Sequence, residues 1–112
     1  MDRYYFTITG LNYRYGDSFL EPGMPVKLVK EPDNKYDKEA IKVELPGLGT
    51  IGYVANSLQT VLGESHSAGY YYDKLGDEAV GQVLYVLPGG VVCSIMESYL
   101  TGAAPESTDE QN

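Results

Sequence analysis

The chain has 112 residues, a single cysteine and a formal charge of −8, from 16 Asp or Glu against eight Lys or Arg. Its length fits one domain able to bury a core without metal or disulfide staples, and its 43% hydrophobic content excludes a chain disordered throughout. No apolar run approaches membrane-spanning length and no basic-then-apolar leader opens the chain, so a soluble, cytoplasmic monomer is expected.

Residues 3–9 are β-branched and aromatic and read as a strand ending at Gly10, with Tyr4, Phe6 and Ile8 on one face. Residues 11–24 hold two Gly, a Pro and several Tyr and read as a loop or irregular strand. A second strand spans residues 25–31, stopped by Pro32-Asp33-Asn34. Residues 40–45 alternate cleanly, and the Pro46-Gly47 turn joins them to a hairpin partner at 49–54. Asn56, with Gln59 three residues on, reads as the N-cap of a short helix carrying Leu58, Val61 and Leu62 and ended by Gly63. Residues 64–78 read as a polar loop in which Tyr70-Tyr71-Tyr72 pack or extend a stacking surface. Two apolar strands, 79–87 and 91–97, flank the hairpin signal Pro88-Gly89-Gly90. From Thr101 onward the residues are small, polar or acidic, and a disordered tail over 101–112 is expected after a domain of residues 1–100. The sum is mostly β: five or six short strands with one or two short helices, as a small barrel or sandwich.

Cys93 lies in the apolar run Val91–Met96 and reads as a buried, inert thiol. His66 has no Cys or His companion for a metal. Gly47-Leu48-Gly49 lacks the setting of a phosphate loop. No nucleophile, base and acid stand in a recognised spacing, so the chain reads as a binding module that needs no cofactor rather than an enzyme. The charge taken alone opposes a polyanionic ligand. It is uneven, however: residues 1–60 hold seven of the eight cations and eight acids, whereas residues 61–112 hold only Lys74 against eight acids. Eleven Tyr, with two Phe and no Trp, exceed what so small a core can hide, which leaves aromatic rings for a surface.

One stretch is more specific. Residues 26–43 run apolar strand, then Glu31-Pro32-Asp33-Asn34-Lys35-Tyr36-Asp37-Lys38-Glu39-Ala40-Ile41-Lys42-Val43, and are followed by Gly49-Thr50-Ile51-Gly52-Tyr53-Val54. With Ile8-Thr9-Gly10-Leu11-Asn12-Tyr13 upstream, this pattern closely resembles the HIRAN family over residues 4–97. The resemblance implies a compact OB-like β-barrel. The family occurs as modules on helicase-like DNA-repair ATPases and as stand-alone bacterial and phage-associated proteins, and its best understood members bind single-stranded DNA ends with a free 3′-hydroxyl. Carried over by motif, Tyr13 and Tyr36 match the ring pair that sandwiches the terminal base, and Asp37 matches the acceptor of the terminal hydroxyl. The phosphate positions depart from the pattern: Asn12 stands where many relatives have Arg, and Ala55 and Asn56 stand where many have cations. Arg14, Lys35 and Lys38 are nearby in sequence and could compensate.

Each of these residues also has a structural reading. Asp37 can close an Asx turn before Ala40, Tyr36 can plug the barrel end, and Asn34 suits a turn. Tyr53 can be half core, and Asn56 can cap a helix while facing a phosphate. Two functions follow: a single-stranded DNA binder using Asn12, Tyr13, Arg14, Lys35, Tyr36, Asp37, Lys38, Tyr53 and Asn56, or a protein-interaction module that keeps the barrel and serves a partner such as a helicase or nuclease.

Overall fold

A computed structural model describes residues 4–10, 20–57, 60–63, 65–87 and 90–100. The described residues form six strands: β1 (Tyr4–Thr9), β2 (Pro25–Lys30), β3 (Ile41–Leu45), β4 (Gly49–Val54), β5 (Glu78–Leu87) and β6 (Gly90–Ile95). A helix, α1 (Ala68–Tyr72), precedes β5, and a 3₁₀ turn at Glu97–Tyr99 follows β6. The strands close into an antiparallel barrel in the order β1-β4-β3-β2-β5-β6. Expected strand bounds at 25–31, 40–45, 49–54 and 79–87 agree with β2 to β5 within a residue. The last strand stops at Ile95, and Asn12, Tyr13, Arg14, Leu58, Gln59 and the tail lie outside the described residues. Among the described residues no helix is long and apolar enough to cross a membrane.

Period-two patterning places the core inside the ring. Phe6 and Ile8, Val26 and Leu28, Ile41 and Val43, Val83, and Val91 and Cys93 are all buried. Gly81 gives Phe6 its room. A Cβ there would stand 2.7 Å from the Phe6 ring and 2.8 Å from the Ser94 carbonyl oxygen. The alternation breaks in β5, where Val83 pairs with Cys93 but Tyr85 pairs with Val92. Leu84 is the extra residue of a bulge, and beyond it the faces exchange. Tyr85 and Leu87 therefore stand outside, Tyr85 at 60% exposure, whereas uninterrupted alternation would turn them inward.

The helix is not where capping rules put it. Residues 55–57 and 60–63 carry no helix; there the Thr60 and Val61 N–H groups donate to the Ser57 carbonyl. Helix α1 forms instead within the stretch expected to be a loop, capped by Ser67, whose Oγ accepts from Tyr70 N–H at 3.2 Å. Tertiary packing decides this. Tyr71 is fully buried and its hydroxyl donates to the Tyr5 carbonyl at 2.6 Å, which anchors a helix too short to persist alone. Burial first, then the neighbouring Tyr70 and Tyr4, raises the Tyr71 phenol above its ordinary value. Cys93 is buried as expected, and desolvation pushes its thiol up to about 12.

Candidate nucleic-acid interface

The β2–β3 loop is shaped by short polar side chains bonding to nearby backbone. Asn34 Oδ1 accepts from Tyr36 N–H at 2.8 Å and from Asp37 N–H at 2.9 Å. Its Nδ2 donates to Glu31 Oε1 at 2.7 Å. Asp37 Oδ1 then accepts from Glu39 N–H at 2.9 Å, and the Asp37 carbonyl accepts from Ala40 N–H at 3.1 Å. These are the Asx turns that Asn and Asp favour. With its backbone held this way, the Tyr36 ring stands 96% exposed, so it does not plug the barrel.

The loop faces the end of β4. Tyr53 lies in register with Lys42 on β3 and Thr9 on β1, and its hydroxyl donates to Glu31 Oε1 at 2.8 Å. One carboxylate oxygen thus ties the loop to the β4 wall. Just past β4, Asn56 Nδ2 donates to Asp37 Oδ2 at 2.9 Å, and Asn56 Oδ1 accepts from Gly69 N–H at 2.8 Å. Between loop and strand is an open groove of about 440 Å³, lined by Tyr36, Asp37, Tyr53 and Asn56 together with Thr9, Asn34, Ala40 and Val54.

Chemically the groove offers a flat unencumbered ring at its rim and a carboxylate engaged at each oxygen by one donor. A carboxylate has about four lone-pair sites, so Asp37 keeps capacity for a hydroxyl donor. The exposed cations Lys35 and Lys38 flank Tyr36 and Asp37 on the same loop and make no ion pair with a described residue. Asp37 brings a negative charge to the lining of the groove, and Glu31 stands behind it, engaged by Asn34 and Tyr53. Lys30, by contrast, lies 4.8 Å over the Tyr72 ring, and Lys42 pairs with Glu44 at 3.3 Å. No group of three or more His, Cys, Asp or Glu among the described residues could hold a metal. His66 stacks on Tyr70 with centroids 3.9 Å apart.

Of the sequence-derived site residues, the structure brings Tyr36, Asp37, Tyr53 and Asn56 to one groove and leaves Lys35 and Lys38 exposed on the loop that carries Tyr36 and Asp37. Asn12, Tyr13 and Arg14 lie outside the described residues. The HIRAN domain family model matches residues 1–80. The chain belongs to the HIRAN family. The match takes in β1 to β4, the loop carrying Tyr36 and Asp37, and α1. HIRAN domains are binding modules rather than catalysts, and in general they bind DNA. The crystal structure of the HIRAN domain of human HLTF is similar to this chain, with a TM-score of 0.55 and 21% identity, covering 83% of this chain and 74% of that one. At that identity the likeness speaks for the fold. No curated protein matches.

Glu31 is not among the sequence-derived site residues, although it accepts two of the hydrogen bonds that build the site. Its place at the head of the Glu-Pro-x-Asn run was the available signal.

Proposed function

We propose that this HIRAN domain grips single-stranded DNA at a 3′-hydroxyl end. The terminal base stacks on Tyr36, with Tyr13 as the second ring, and Asp37 accepts the hydroxyl. Lys35, Lys38 and Arg14 meet phosphates, Asn12 supplies a neutral donor, and Tyr53 and Asn56 bound the groove. Base–aromatic stacking is tolerant of sequence because every base has a flat face. A terminal phosphate would meet Asp37 as a like charge. The observation that carries this reading is the presence, in one groove, of a nearly fully exposed ring and a carboxylate held at both oxygens.

Titration of labelled oligonucleotides at low salt tests it, comparing 3′-hydroxyl, 3′-phosphate and duplex ends. Preference for the single-stranded hydroxyl end is expected, and equal affinity for the two 3′ groups removes end reading. A second reading, a protein-interaction module with weak DNA affinity, draws on the excess of 16 acids over eight cations. A defined partner such as a helicase or nuclease that stays bound after nuclease treatment, with no oligonucleotide binding, supports that alternative.

A further inference from the structure

Asn56 sits where the sequence suggested a helix cap that could also meet a phosphate. Its amide is engaged on both sides instead. Nδ2 donates to Asp37 Oδ2 at 2.9 Å, and Oδ1 accepts from the Gly69 N–H at 2.8 Å. Gly69 is a fixed support. It lies in the first turn of α1, and its neighbour Ala68 donates its N–H to the Ala55 carbonyl at 2.9 Å. The same helix is anchored by fully buried Tyr71. The approach is close: a Cβ on Gly69 would stand 3.3 Å from Asn56 Oδ1 and 2.8 Å from Glu39 Oε1.

We infer that Asn56 is a positioning residue for Asp37, carrying the rigidity of α1 into the carboxylate and thereby setting the preference for a hydroxyl-bearing end. This rests on the end-reading function proposed above. The outer torsion of Asp is broad and roughly two-fold, so one bond from Glu39 N–H to Oδ1 leaves the carboxylate plane loose. The Asn56 bond to Oδ2 fixes the second oxygen, and an acceptor so oriented favours a hydroxyl in one direction. A residue that merely met a phosphate would strengthen every end alike. A positioning residue acts on the ratio between ends.

The test uses the full chain and a labelled oligonucleotide ending in either a 3′-hydroxyl or a 3′-deoxy sugar. Asn56→Ala removes both bonds. Asn56→Asp keeps an oxygen for the Gly69 N–H but replaces the donor that faces Asp37, so it preserves the helix support while losing the positioning bond. The two oligonucleotides carry the same phosphates, so the added charge cancels in their affinity ratio. Both variants are expected to lower the hydroxyl preference by roughly 3- to 10-fold, the range of one net hydrogen bond. A wild-type ratio in either variant overturns the inference. If the unmodified protein shows no preference, end reading fails and the coupling is judged without ligand. In Asp37→Ala the side-chain amide resonances of Asn56 should then shift while the Gly69 amide stays protected; unmoved Asn56 resonances overturn the coupling.

Discussion

Replacing Asn34 by Ala removes three bonds at once: those from the Tyr36 and Asp37 N–H groups, at 2.8 and 2.9 Å, and its own donation to Glu31 at 2.7 Å. Each net hydrogen bond contributes about 0.5–1.5 kcal/mol, and one to a charged acceptor somewhat more. The Tyr36 N–H is exposed, so water recovers part of its bond. The expected loss is about 2 kcal/mol, which for a domain of this size lowers the melting temperature by roughly 8 °C. Asn34→Asp divides that effect. It keeps the oxygen that receives the two N–H groups and sets a carboxylate against Glu31. Two carboxylates in contact hold a proton above the usual carboxylate range. The folded-state pKa then exceeds the unfolded one, so the deficit is present at pH 7 and shrinks as pH falls through the raised value. Thermal unfolding followed by circular dichroism at neutral pH and at about pH 4.5 reads both effects. An Asn34→Ala variant melting within about 2 °C of wild type, or an Asn34→Asp deficit that does not narrow in acid, would refute this account of the loop.

Three further outcomes are expected. Gly81→Ala forces a methyl against the Phe6 ring and the Ser94 carbonyl and should cost about 1–3 kcal/mol in urea unfolding; a neutral result would mean the barrel relaxes freely at that point. Tyr36→Ala should weaken oligonucleotide binding by about 1–3 kcal/mol while Tyr36→Phe binds normally and neither changes melting, since the ring is 96% exposed; unaltered affinity in the Ala variant excludes stacking. Burial holds the Cys93 thiol near 12 against an ordinary value of 9.0, so its contribution to stability is complete below pH 9 and lost as pH rises toward 12. Native protein should therefore resist a thiol reagent at about pH 8, and rapid stoichiometric labelling would contradict that burial.

Where one side of a strand is buried and the strand itself carries no extra residue, the sequence was readable, even with a bulge in its neighbour at Ile51. Ile41-Lys42-Val43-Glu44-Leu45 alternates on paper and alternates in burial. In β5 the same logic finds the strand but not the face of Tyr85, because a bulge at Leu84 has no period of its own to detect. Helix placement failed for a different reason. Asn56 and Gln59 satisfy a local capping rule, but the Asn56 amide is taken by Asp37 and Gly69, partners 19 and 13 residues away. The site was legible where its geometry is local, in the turns that Asn34 and Asp37 close upon themselves. It was not legible where closure of the barrel brings Tyr53 to Glu31, 22 residues apart.

Closure also limits how this domain can be approached. Each of the six strands has a hydrogen-bonded neighbour on both sides, and the seam between β1 and β4 is the shortest, paired at Ile8–Val54 and Thr9–Tyr53, so closure leaves little continuous edge onto which an extended peptide could add itself as a seventh strand. That favours recognition through side chains projecting from loops and outer faces, and the shortened edges disfavour templated sheet growth between copies.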